Sequence, residues 1–120
     1  MESRHMGNSF QIDYLEFTSA NLEASSRFFA EAFGWSRIDY GPGYSGAADA
    51  GIDVGVAEAE NQAAAPLLAV VRTQDLEAAY GEVTAAGGVI TREPFDFPGG
   101  RRFHFREPGG NELAVWIATE

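Results

Sequence analysis

The sequence predicts an α+β domain made of two tandem βαβββ modules, and three observations carry that reading. A strand followed by a helix occurs twice. The text that opens the first helix, Asn21-Leu22-Glu23-Ala24, returns as Asp75-Leu76-Glu77-Ala78, and the same offset of 54 positions sets Gly34 on Gly88. A chain of 120 residues has room for one domain of ordinary size, so a repeat of this length lies inside a single fold.

From Phe10 to Phe17 the side chains alternate, Leu15 and Phe17 to one side and Tyr14 and Glu16 to the other, which is the period of a half-buried strand. Asn21 then reads as an N-cap, Phe28, Phe29, Ala32 and Phe33 as an apolar helical stripe, and Gly34 as the stop. The second module repeats this with an apolar strand from Leu67 to Val71, an N-cap at Asp75, and Leu76, Ala79, Tyr80, Val83 and Ala86 at helical spacing before Gly87-Gly88. Short strands follow each helix: Ser36 to Tyr40, Gly46 to Ala48 and Ile52 to Ala57, then Val89 to Arg92, Arg101 to Arg106 and Leu113 to Ala118. Asn61 to Ala65 reads as the linker, and Pro94 to Gly100 and Glu107 to Asn111 as loops.

Hydrophobic residues make up 45% of the chain and aromatics 12%, enough for a packed core without staples. The absence of Cys removes disulfides, thiolate metal sites and cysteine nucleophiles. A formal net charge of −10 repels phosphate backbones and anionic headgroups, so neither nucleic acid nor membrane is expected as a partner, while cationic compounds would be drawn in. No apolar run approaches the ~20 residues of a spanning helix and no signal-peptide layout precedes the first strand, which makes the cytoplasm the expected location. Met1-Glu2-Ser3-Arg4-His5-Met6 reads as a vector remnant with the native start near Met6. That puts residues 1–9 outside a domain at 10–120, with modules at about 10–60 and 66–118.

The residues Asn21-Leu22-Glu23-Ala24, Phe28-Phe29, Phe33-Gly34-Trp35 and Glu107-Pro108-Gly109-Gly110-Asn111-Glu112-Leu113 together resemble the glyoxalase, bleomycin-resistance and extradiol-dioxygenase superfamily, also called vicinal oxygen chelate proteins. The likeness runs from about Gln11 to Ile117. It implies two βαβββ modules whose curved mixed sheets enclose a cleft, frequent homodimers, and a divalent metal held by residues from the first and last strands of each module. It leaves function to the site, because this fold serves isomerases, dioxygenases, transferases and drug-binding proteins alike.

At the positions that the resemblance assigns to metal ligands, this chain has Tyr14, Leu68 and Ala114, with the fourth position near Asp53 to Gly55. A phenol with a reference pKa near 10 is a poor ligand, and Leu and Ala carry no donor at all. No metal site and no cofactor are therefore expected.

The register chosen puts Leu15, Phe17, Leu67, Val71, Leu113, Val115 and Ile117 against the helices. The other face then presents Tyr14, Glu16 and Thr18, Leu68 and Val70, Arg102, His104 and Arg106, and Ala114 and Trp116. Glu16 and His104 are the candidate acid–base residues, the carboxylate because its charge needs a partner or solvent, the imidazole because it titrates near neutrality. Partners considered for Glu16 are His104 and Arg102. Tyr14, Leu68, Val70, Arg102, Ala114 and Trp116 are the candidate ligand-binding residues, with ring stacking from Tyr14 and Trp116. Trp35 reads as structural, and Tyr40-Gly41-Pro42-Gly43-Tyr44 as a loop bordering the cleft. The leading functional expectation is a metal-free protein that binds an antibiotic, a metabolite or another small organic molecule. The alternative is a metal-dependent lyase, isomerase or dioxygenase of the same superfamily.

Overall fold

A computed structural model describes residues 10–61 and 63–119. The chain is α+β, with strands β1 (Gln11–Ser19), β2 (Ser36–Asp39), β3 (Tyr44–Ala48), β4 (Asp53–Glu58), β5 (Ala65–Arg72), β6 (Val89–Phe97), β7 (Gly100–Arg106) and β8 (Glu112–Ala118). Its helices are α1 (Leu22–Phe33) and α2 (Leu76–Ala85), so each half reads βαβββ. Two compact units emerge: Asp13–Leu68, and the described residues 69–119 together with 10–12. The expected vector remnant lies outside the described residues. Of the expected linker, Gln62 does too, and Ala65 already belongs to β5.

In the first half the strands run in the order β2-β3-β4-β1, with β1 parallel to β4 and the other pairs antiparallel. Asn21 caps α1 by accepting the Ala24 N–H at 3.0 Å, and Gly34 closes it at φ 75°, a left-handed conformation that glycine adopts without a Cβ penalty. The face of α1 turned to the sheet holds Leu22, Ser26 and Phe29, which pack with Leu15, Phe17, Ala47, Val54, Val56 and Trp35. Ser26 Oγ and Ser45 Oγ, both buried, satisfy each other at 2.9 Å. Of the expected stripe, Phe29 packs against the sheet while Phe28 and Phe33 do not. Both rings are more than half exposed and meet edge to face at 5.8 Å, because inward positions three and four apart starting from Leu22 lead to Phe29.

In the second half the order is β5-β8-β7-β6, with β5 parallel to β8 and the rest antiparallel. Asp75 repeats the cap geometry of Asn21, at φ −149° and ψ 98° against −149° and 95°, and accepts the Ala78 N–H at 3.0 Å. The residue before each cap turn is also repeated: Ser19 Oγ accepts the Asn21 N–H at 2.9 Å and Thr73 Oγ1 the Asp75 N–H at 3.2 Å. The repeat slips at the helix ends. In the second half it is Gly87, at φ 102°, that takes the left-handed turn, one residue before the position aligned with Gly34. Phe103, fully buried, centres a core with Leu76, Ala79, Val115, Val71 and Ile117. Leu67 was expected on this inner side but is 47% exposed, since β5 joins β8 only from Ala69 onward.

The expected loop from Pro94 to Gly100 is mostly strand, because β6 continues to Phe97 and only the turn around Pro98 and Gly99 separates it from β7. Pro94, which has no N–H to donate, is tolerated because β6 is the outer strand of this half and its pairing is irregular between Ile90 and Arg92 and again between Arg92 and Phe95.

Candidate functional site

The sheet face away from α1 in the first half gathers Tyr14, Glu16 and Tyr44. Tyr44 belongs to β3 and not to a loop, so its side chain is fixed by the ladder. Tyr14 and Tyr44 share a hydrogen bond between their hydroxyls, and the Tyr44 hydroxyl donates to Glu16 Oε1 at 3.3 Å. With that proton given to Glu16, the Tyr14 hydroxyl is the donor to the Tyr44 oxygen. Burial, then the bond to Tyr14, then the Glu16 charge push the Tyr44 phenol well above its usual range, so it stays protonated. Both hydroxyls hang over Gly55, where a Cβ would collide with each of them.

The corresponding face in the second half brings together Val70, Ala114 and His104 in one cross-strand row and Arg72, Trp116 and Arg102 in the next. His104 is 8% exposed. Its Nδ1 lies 3.2 Å from Glu112 Oε2, which also accepts the Thr91 hydroxyl at 3.0 Å. Desolvation, with the nearby Arg102 charge next, holds the imidazole below its usual pKa despite Glu112. Neutral His104 therefore donates from Nδ1 to Glu112 and keeps its lone pair on Nε2, a buried atom with no hydrogen-bond partner among the described residues.

Aromatic rings and guanidinium groups cover this face. Phe95 lies 5.8 Å from the His104 ring and Phe97 6.1 Å from Trp116. The Arg92 guanidinium sits 3.7 Å over Phe95, that of Arg102 5.4 Å from the same ring, and that of Arg72 5.0 Å over Trp116, all within cation–π range. A separate cavity of about 340 Å³ lies on the helix side of this half, among Phe10, Val71, Ala79, Val83, Phe105 and Val115. That lining is mostly apolar, with Glu82 and Glu107 its charged members, and Glu107 is bonded into its own turn.

The sequence-predicted residues thus fall into two sets. Tyr14 and Glu16 meet in the first half, while His104, Arg102, Trp116, Ala114 and Val70 share one face of the second. Leu68, half-buried, closes the first compact unit. The carboxylate on His104 Nδ1 is Glu112. Sequence reasoning missed Glu112, Arg92, Phe95 and Phe97, and had Tyr44 only as part of a loop bordering the cleft. The alternation of Phe95 and Phe97 was the available signal, masked by Pro94 and Pro98 on either side.

The register also settles which residue stands in the fourth metal position. Glu16 pairs with Gly55 and Val70 with Ala114, and Glu16 and Val70 are 54 positions apart, so Gly55 is the first-half counterpart of Ala114. The set Tyr14, Leu68, Gly55 and Ala114 offers one side-chain donor, a phenol already bonded to Tyr44. These residues do not fit a divalent ion, and among the described residues no group of three or more His, Asp or Glu does.

A family model for the glyoxalase/bleomycin resistance protein/dioxygenase superfamily matches residues 11–115, and the chain belongs to that superfamily. Solved structures agree on the fold. A member of the superfamily from Vibrio splendidus 12B01 is 16% identical with a TM-score of 0.69, covering 87% of this chain and 96% of that one. A methylmalonyl-CoA epimerase from Mycobacterium tuberculosis is 11% identical with a TM-score of 0.72, covering 100% and 94%. A Mn(II)-bound glyoxalase from Novosphingobium aromaticivorans is 21% identical with a TM-score of 0.66, covering 89% of this chain and 38% of that one. No curated protein matches significantly in sequence. No helix among the described residues is long and apolar enough to cross a membrane.

Proposed function

We propose that this protein binds a small organic molecule, without a metal or other cofactor, on the ring- and arginine-covered face of its second half, as a metabolite- or antibiotic-binding member of the superfamily. The observation that carries the reading is the cluster of Phe95, Phe97 and Trp116 under the guanidinium groups of Arg72, Arg92 and Arg102. Flat apolar surface with a few directed polar groups is the composition of a small-ligand site. Val70 and Ala114 supply the small apolar floor beside His104. In the first half, Tyr14 offers a ring and a hydroxyl. We place the protein in the cytoplasm as a homodimer, without nucleic-acid or membrane partners.

The test is metal analysis of protein purified without chelator, paired with thermal melts in added nickel, zinc, manganese and iron and with a screen of organic compounds. Substoichiometric metal, melts unmoved by the ions and at least one compound whose shift disappears in Trp116→Ala support the reading, since a ligand of the folded state stabilises by mass action. Stoichiometric metal with a rise in melting temperature overturns its metal-free part.

A second reading, an isomerase or lyase, is favoured by one observation: the neutral His104 with Glu112 on Nδ1 and a buried lone pair on Nε2 is arranged as a general base. Epimerases among the structural neighbours give it a fold that hosts such chemistry. Glu16, held by Tyr44, is the second candidate acid–base group. Uptake of solvent deuterium into a bound carbon acid, lost in His104→Gln, is the outcome this reading requires.

A further inference from the structure

We infer that the molecule taken by the second half is an organic anion that carries a hydrogen-bond donor beside its acidic group, the charge lying by Arg92 and the donor on Nε2 of His104. This rests on the binding reading above and gives it a chemical class. It also reverses the expectation of a cationic ligand drawn from the net charge.

The first support is how charge is sorted in this half. The carboxylates of the outer strand are turned away: Glu93 accepts the Tyr80 hydroxyl of α2 at 3.0 Å, and Asp96 pairs with Arg101 at 2.9 Å. Glu107 folds into its own turn, accepting the Gly109 N–H at 2.6 Å. Glu112, the carboxylate one row along from His104 on the same face, is engaged by His104 and Thr91. Arg92 meanwhile stands on the His104 face, opposite His104 itself. A compact arginine-bearing patch in an acidic protein is a local field that the net charge does not describe.

The second is that Arg92 reaches that face through a specific device. Ile90 pairs with Phe105 and lies in the helix-side core, so two residues on, a regular strand would turn Arg92 toward the same core. The irregularity between Ile90 and Arg92 puts Arg92 opposite His104 instead, and the next one puts Phe95 opposite Arg102. Arg92 then lies over Phe95, a flat ring that orients the planar guanidinium for a carboxylate or phosphate.

The third is His104 itself. A buried lone pair without a partner is costly to leave so, and the atom that satisfies it must donate. A ligand donor meets that need, and an adjacent acidic group meets the Arg92 guanidinium. The ligand body then lies along Phe95, Phe97 and Trp116.

Four probes of nearly one shape separate these requirements: mandelate, phenylacetate without the hydroxyl, mandelamide without the charge, and 2-amino-1-phenylethanol with the opposite charge. Binding is read by tryptophan fluorescence and thermal shift. Mandelate is expected to bind about tenfold more tightly than phenylacetate and mandelamide, with affinity falling as salt rises. The amine is expected not to bind. Arg92→Met, at an exposed side chain, is expected to erase the preference for mandelate over mandelamide, and His104→Gln the preference over phenylacetate. If His104→Gln does not fold, the ¹⁵N shift of Nε2 in the unsubstituted protein must move on adding mandelate and stay still with phenylacetate. Equal or tighter binding of the amine or amide, or preferences untouched by both variants, overturns the inference while leaving ligand binding intact. If no organic compound of any charge binds, the binding reading itself falls.

Discussion

The two halves carry one scaffold and opposite chemistry. Ser19 and Thr73 place Asn21 and Asp75, the caps have the same backbone angles, and each half pairs its first and last strands in parallel. On the face away from the helix, however, the first half has two phenols and a carboxylate over glycines, while the second has a neutral imidazole, guanidinium groups and rings over Ala114. The difference teaches that the repeat preserves what closes a helix against a sheet and leaves the opposite face free to diverge. Side chains there are not held to the helix-side core.

The cores diverge too, and that yields the largest expected effect. The bulkiest inaccessible side chain of the second half is Phe103, and that of the first is the smaller Val56. Phe103→Ala should cost about 3–5 kcal/mol in denaturant unfolding, and Val56→Ala about 2 kcal/mol. Equal costs would mean that the halves do not differ in how their cores are anchored.

The next effect tests the first half's tyrosines. Gly55→Ala drives a Cβ into both hydroxyls, so overpacking of about 1–3 kcal/mol is expected. Adding Tyr14→Phe and Tyr44→Phe removes the two colliding oxygens but leaves Tyr44 Cζ at 2.7 Å from the added Cβ, so the triple variant should recover part of that loss. Gly46→Ala, which meets the ring of exposed Tyr40 at 2.7 Å, should cost less because that side chain can swing away. No recovery in the combined variant would show that the Tyr44 ring, not the pair of hydroxyls, requires glycine at 55.

Much of this comparison was legible in the sequence. The repeat, both caps and the inward positions Leu15, Phe17, Val71, Val115 and Ile117 follow from period and spacing, because local propensity and burial agree there. The superfamily was legible from its motifs. What escaped depends on pairing across strands. Pro94 hid a strand that its neighbours complete, the irregular pairing that re-aims Arg92 has no local signature, and Glu112 becomes the partner of His104 only through the β7–β8 ladder. The charge total is uninformative at this level for the same reason, since it averages over faces that the fold separates.

The caps provide a control in which the halves should behave alike. Asn21→Ala and Asp75→Ala each remove one side-chain acceptor from a helix N-terminus, and each should cost about 1 kcal/mol. A cost confined to one cap would break the equivalence at the level where it is best preserved.

The smallest effect is the dependence on pH, where the halves should fail at opposite ends. His104 is held below its reference value of 6.5, so as pH falls through that value the unfolded chain takes up a proton that the folded one refuses. Its contribution is complete above about pH 6.5 and is lost on acidification. Tyr44 is held above its reference of 10.0, so as pH rises past that value the unfolded chain releases a proton that the folded one retains, and stability falls on the alkaline side. Urea midpoints measured across pH should therefore show a flatter acid limb in His104→Gln and a flatter alkaline limb in Tyr44→Phe, each leaving the other limb as it is in the unsubstituted protein. A variant that flattened both limbs would mean that its group acts on the whole fold, and the division into a phenolic half and an imidazole half would no longer describe where the protons are held.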